Sequence, residues 1–142
     1  MRALGLDLGS RRVGVAISDR DGRLATPVTT LARGRDHDAD HAAIAELVAE
    51  YDVEIVVVGV PLSLDGGTGP AARAILDEVD AMASCLRVPV TTVDERFTTI
   101  EAEQQLRDAG VRGRNKTKVI DQAAAVVLLQ AWLERKIRDD RR

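Results

Sequence analysis

Between Ala3 and Ser18 the chain twice alternates large apolar residues with small ones. Leu4, Leu6 and Leu8 are interleaved with Ala3, Gly5 and Asp7, and Val13, Val15 and Ile17 with Gly14, Ala16 and Ser18. A period of two predicts two strands, each with one greasy face and one face of small residues. Gly9-Ser10-Arg11-Arg12 between them reads as a tight hairpin turn carrying two guanidinium groups. Asp19-Arg20-Asp21-Gly22 then turns into a third extended run, Leu24–Leu31, whose Pro27 suits an edge strand. After the polar break Gly34–Asp40, residues Ala43, Ile44, Leu47, Val48 and Tyr51 recur at helical spacing, with Asp36 or Asp38 available as the cap. Ile55-Val56-Val57-Val58 is a continuous β-branched run, the signature of a central strand buried on both faces.

A Gly-rich loop follows from Gly59 to Gly69. Pro70 opens a helix bearing Ala72, Ile75, Leu76, Val79, Met82 and Leu86. Val88–Val93 predicts another strand, ending in Asp94-Glu95-Arg96. Thr98 and Glu101 stand at capping-box spacing for a short helix that stops at Gly110, and a basic loop leads to a final helix from about Val119 to Lys136. The order β-β-β-α-β-α-β-α is an antiparallel meander followed by α/β crossovers. It predicts an α/β fold: one mixed five-stranded sheet flanked by helices, in a single domain over residues 1–142.

Composition narrows the function classes. The usage is that of a globular protein, with 45% hydrophobic and 30% charged residues. One cysteine, Cys85, excludes an intramolecular disulfide and any cysteine-based zinc cluster, and is expected to pack as a small hydrophobe on its helix. No apolar run reaches membrane-spanning length and the N-terminus enters a strand at once, so a cytoplasmic protein without membrane contact is expected. A net charge of −3 gives no global basic field. The basic charge is local instead: Arg112, Arg114, Lys116 and Lys118 fall within Val111–Lys118 with no acid among them.

Three acidic positions carry the chemistry. Asp7 lies inside a strand, where a buried carboxylate is costly without a partner or a metal, and the glycines on its face clear space for something to approach. Asp121 extends the Ala124/Ala125, Leu128/Leu129, Trp132 stripe of the last helix by one turn, which points it inward toward the sheet. Asp94-Glu95 ends a parallel strand, where ligands gather in crossover sheets. Clustered carboxylates repel unless a cation neutralises them, and all-oxygen ligands suit Mg²⁺ or Mn²⁺, expected as a pair.

Other signals are weaker. His37 and His41, four apart, form half of a zinc pattern, but no glutamate follows His37, and Asp36, Asp38 and Asp40 point to a solvated cap region. The Gly59–Gly69 stretch lacks the Lys-Ser/Thr of a P-loop. The basic loop leads directly into the Asp121 helix, so it is expected at the rim of the acidic site, positioning backbone phosphates. Tyr51 and Trp132 fall on apolar stripes and are expected in the core, and so is Phe97, although its place just after Glu95 would also suit a wedge into a distorted junction. No base-stacking platform is left.

Four blocks carry a family resemblance: Leu6-Asp7-Leu8-Gly9-Ser10-Arg11-Arg12-Val13-Gly14-Val15-Ala16, Val58-Gly59-Val60-Pro61 with Asp65-Gly66, Val93-Asp94-Glu95-Arg96-Phe97-Thr98-Thr99, and Lys118-Val119-Ile120-Asp121-Gln122-Ala123-Ala124-Ala125. In this order they resemble the YqgF/RuvX family of RNase H-like nucleases, described both as Holliday junction resolvases and as pre-16S rRNA processing nucleases. Ser63 and Arg11 depart mildly from the family pattern. The resemblance implies an RNase H-like fold, a metal-dependent endonuclease (a hydrolase), and Asp7, Glu95 and Asp121 as the catalytic, metal-binding acids, with Asp94 as the substitute for Glu95. Neighbours in a strand face opposite ways, and the longer Glu95 can reach back to the Asp7 face. Arg11, Arg12, Arg96, Arg112, Arg114, Lys116 and Lys118 would hold nucleic acid. The expected substrate is precursor 16S rRNA, with a four-way DNA junction as the alternative. The oligomeric state stays open between monomer and homodimer. Two rivals are a catalytically silent nucleic-acid-binding module and an ATP-binding domain of the actin/sugar-kinase kind. The second needs two such subdomains, and this chain has room for one.

Overall fold

The computed structural model describes residues 1–62, 66–95 and 114–141, with side chains from residue 122 onward in the last segment. Its strands are β1 (Ala3–Leu8), β2 (Arg12–Ser18), β3 (Ala25–Ala32), β4 (Ile55–Val60) and β5 (Val90–Asp94), and its helices are α1 (His37–Glu50), α2 (Pro70–Cys85) and α3 (Arg114–Asp140). The sheet order is β3-β2-β1-β4-β5. The hairpin β1–β2 and the pair β2–β3 are antiparallel, and β1–β4 and β4–β5 are parallel. This is the mixed five-stranded sheet that the element order predicts.

The alternation in β1 and β2 produces two unlike faces. Leu4, Leu6, Leu8, Val13, Val15 and Ile17 pack with Val56 and Val58 against Ile44 and Val48 of α1 and Val79 and Met82 of α2. On the other face Ala3, Ala16, Ala25, Val57 and Val93 meet Ala125, Leu128, Leu129 and Leu133 of α3. The large-residue face supports two helices, whereas the small-residue face lets one helix come very close. A Cβ built on Gly5 would stand 2.8 Å from Leu129 Cβ and 3.2 Å from the Ala125 carbonyl oxygen.

Hydrogen bonds fix how α3 lies. Gln122 Nε2 donates to Thr30 Oγ1 at 3.1 Å. Two turns later Gln130 Oε1 accepts from the Ala25 amide at 2.9 Å, and its Nε2 donates to the Arg23 carbonyl at 2.9 Å. Thr30 pairs with Gly14, which pairs with Asp7, while Ala25 pairs with Ser18 at the opposite end of β2. The helix therefore runs antiparallel to β1, with its N-terminal part on the Asp7 side.

Most boundaries match the sequence reading within a residue or two. Asp36 caps α1, accepting from the Ala39 amide, and Pro70 opens α2. Pro27 lies on the edge strand β3, at a register shift opposite Val15/Ala16. Tyr51 and Trp132 are half-buried against the two cores. Two expectations need correction. The last helix begins at Arg114 rather than near Val119, because nothing between Gly113 and the Asp121 turn breaks a helix. Arg114, Lys116 and Lys118 thus stand on the first turns of α3 and not in a loop. Asp94 is the last residue of β5, in keeping with a strand that ends in Asp94-Glu95. Cys85 is exposed, since it closes α2 at the surface end of the helix. The short helix expected over Thr98–Gly110, and Phe97, lie outside the described residues.

The close approach at Gly5 makes a direct test. Gly5→Ala should destabilise the fold by about 1–3 kcal/mol through overpacking against Leu129. Chemical denaturation should show a lower midpoint with an unchanged slope.

Candidate active site and a second polar cluster

Asp7 occupies the small-residue face of β1, in step with Ala3 and Gly5, so it faces the side covered by α3. Its antiparallel partner on β2 is Gly14. On the other flank the parallel register runs Leu6↔Val58, so one step further Asp7 is level with Gly59 of β4. The carboxylate thus has a glycine on each neighbouring strand.

Glu95 follows β5 directly, and its amide donates to the Val60 carbonyl at 3.2 Å. Its side chain returns over the sheet. A Cβ built on Gly59 would lie 2.5 Å from Glu95 Oε2 and 2.9 Å from Leu128 Cδ2. The Glu95 carboxylate therefore fills the space that Gly59 leaves open, on the α3 side of the sheet, beside the Asp7 position. Asp94 has the opposite parity: it pairs with Val60, while Val93, packed in the α3-side core, pairs with Gly59. Burial, and secondarily the adjacent Asp94 charge, push the Glu95 carboxyl above its ordinary range.

Asp121 is one residue before Gln122 and one turn before Ala125, so its backbone stands at the end of α3 that lies over the Asp7–Gly14–Thr30 row. Its side chain lies outside the described residues. Arg11 is exposed in the hairpin turn, and Arg12 is the half-buried first residue of β2. Arg96 and Arg112 lie outside the described residues. The α3 backbone positions of Arg114, Lys116 and Lys118 precede Gln122 by up to eight residues, about 12 Å of helix. They extend past the Asp7 row toward the hairpin turn.

The opposite face carries a cluster that sequence reasoning missed. His41 and Asp40 are buried rather than solvated, because α1 begins at His37 and turns that side toward α2. Arg33 donates to both Glu78 oxygens, at 2.6 and 2.9 Å, and to Asp40 Oδ2 at 3.1 Å. His41 Nε2 stands 3.0 Å from Glu78 Oε2. Burial alone would raise the Glu78 carboxyl, but the hydrogen bonds from Arg33 and His41 outweigh it and hold the group below its ordinary value. The only signal in the sequence was the His37/His41 spacing. Its partners lie on β3-proximal and α2 segments that no local pattern connects.

Comparison with known proteins places the chain. A family model described as "RuvX: Holliday junction resolvase" matches residues 1–135. A protein of Mycobacteroides abscessus is 50% identical over 138 residues, 96% of this chain and 83% of its own length. One of Mycobacterium leprae is 53% identical over 135 residues, 94% and 72%. One of Chloroflexus aggregans is 50% identical over 131 residues, 92% of each. All three are named "Putative pre-16S rRNA nuclease". Among solved structures, Thermus thermophilus RuvC in complex with a Holliday junction substrate superposes with a TM-score of 0.62 at 16% identity, covering 96% of each chain. That likeness confirms the RNase H-like fold.

Two outcomes follow from this geometry. Gly59→Ala should displace the Glu95 carboxylate and crowd Leu128, costing about 1–3 kcal/mol of stability, as read by chemical denaturation beside circular dichroism. For Glu78 the folded-state value lies below the ordinary carboxyl value, so its stabilisation is present above that ordinary value and lost as pH falls through the folded one. Glu78→Gln should be less stable than the parent at neutral pH, and its midpoint should decline less steeply on acidification.

Proposed function

The chain belongs to the RuvX family, a nuclease family, and we propose that it is a divalent-metal-dependent endonuclease trimming the 5′ end of precursor 16S rRNA. The observation that carries the reading is the Gly59 gap, which seats the Glu95 carboxylate on the Asp7 face. Asp7, Glu95 and Asp121 would hold the ions. The fit is chemical: the donors are all carboxylate oxygens, the set that Mg²⁺ or Mn²⁺ prefers, and glycines on both flanks leave room for them. When bound, a pair of such ions supplies an activated water and neutralises charge on the leaving oxygen.

The chain's own residues do the remainder. Gly59 leaves the space in which the Glu95 carboxylate sits, which brings a second acid to the Asp7 face. Arg11 and Arg12 at the hairpin, Arg96 and Arg112, and Arg114, Lys116 and Lys118 on the first turns of α3 would hold backbone phosphates and set the register. These contacts carry no sequence information, which suits a substrate recognised by shape. The family model's own description favours a second reading, a four-way DNA junction.

The deciding experiment is cleavage of a precursor rRNA and a four-way junction side by side, with Mg²⁺, Mn²⁺ or EDTA. Preference for the rRNA, abolished by EDTA, is expected; equal cleavage in EDTA would overturn the metal-dependent reading. Asp7→Asn should abolish cleavage while the fold and most substrate binding remain. Glu95→Gln should lose Mn²⁺ affinity and single-turnover cleavage by orders of magnitude, and Asp94→Asn should mainly lose stability. The reverse pattern would reassign the ligand to Asp94.

A further inference from the structure

We propose that His37, His41 and Glu78 form a zinc-type metal site on the face of the sheet opposite the acids, tying α1 to α2. The two histidines are four residues apart on α1, so their rings share one side of the helix, with centroids 5.8 Å apart. Glu78 projects from α2 between them. Its Oε2 lies 3.0 Å from His41 Nε2 and its Oε1 lies 4.0 Å from His37 Nε2, and the three ligand atoms all fall within 4.8 Å of one another.

Two imidazoles and a carboxylate are the donor set of an open zinc site, and the nitrogen donors select against Mg²⁺. Tetrahedral zinc, with ligand bonds near 2.0–2.1 Å, spaces its ligand atoms about 3.4 Å apart. His41 and Glu78 already stand close to that spacing. Only the His37 ring has to close in, and it is exposed. The ion would take the place of the hydrogen between His41 Nε2 and Glu78 Oε2, with His41 ligating as a neutral imidazole whose ring hydrogen sits on Nδ1.

The surroundings are those of a held ligand set. Arg33 grips both Glu78 oxygens and is itself braced by Asp40, which fixes the carboxylate plane as an outer-shell partner does. His41 Nδ1 is buried with no hydrogen-bond partner among the described residues, so the ring makes its polar contact through Nε2, the atom that faces Glu78. A cleft of about 450 Å³, lined in part by Arg33, His37, Asp40 and Glu78, adjoins the set and has room for a water or a small anion. This set was missed in the sequence because the third ligand lies thirty-seven residues beyond His41.

The test is titration of the metal-free full chain with Zn²⁺ by calorimetry, and with Co²⁺ by its visible absorption. One equivalent should bind, with a tetrahedral Co²⁺ spectrum and a Zn²⁺-dependent rise in melting temperature. His37→Ala, at an exposed position, should keep the fold and weaken Zn²⁺ binding by more than about tenfold, the loss that even an outer-shell change typically causes. Asp7→Asn should leave both readouts unchanged, which separates this site from the carboxylates of the nuclease reading. No stoichiometric binding, an octahedral Co²⁺ spectrum, or an affinity indifferent to His37→Ala would each overturn the proposal.

Discussion

The fold rests on how closely α3 can lie on the sheet. That closeness is possible because the residues beneath it are Ala3, Gly5, Ala16 and Gly59, with Leu128 and Leu129 filling the space their side chains leave. The same constraint builds the acidic site. Small residues let the helix approach at one end of β1, and at the other end Asp7 continues the same face. Packing and chemistry here are two uses of one alternation. A large residue at Gly5 would push the helix off, and one at Gly59 would evict Glu95.

The two faces divide the labour between them. The α1/α2 face takes the leucines and valines, each contributing about 1.5–3 kcal/mol when fully buried. It also encloses Arg33, Asp40, His41 and Glu78, a group that only mutual satisfaction makes tolerable in an interior. Removing the guanidinium would leave two buried carboxylates uncompensated, a cost of about 3–5 kcal/mol. The α3 face carries less apolar bulk and presents its charge at the strand ends instead.

The strands and the Asp7 placement were legible because period-two alternation is a local signal. Leu4, Leu6 and Leu8 declare their face without reference to any other segment, and Ile55–Val58 declare burial on both. Glu95 was legible by parity, since its neighbour Asp94 must face away. The start of α3 was read late because the apolar stripe begins only near Asp121, whereas Arg114–Lys118 are helical without being amphipathic. The Arg33–Glu78–His41 group was illegible for a different reason. Its members lie on α1, on α2 and just after β3, and aspartates around His37 and His41 look like a wet helix cap until α2 is laid beside them. Charge in a sequence reads as surface; only the fold shows when it has been paired and enclosed.

One detail at the sheet's margin has a consequence for assembly. At the outer strand β3, Pro27 has no amide hydrogen to offer, and the register shift opposite Val15/Ala16 twists the row of carbonyls and amides out of line. An exposed strand with an unbroken row is a template on which another chain can polymerise. Here the template is defaced at its middle. This border of the sheet is a poor template for extension by a neighbouring copy.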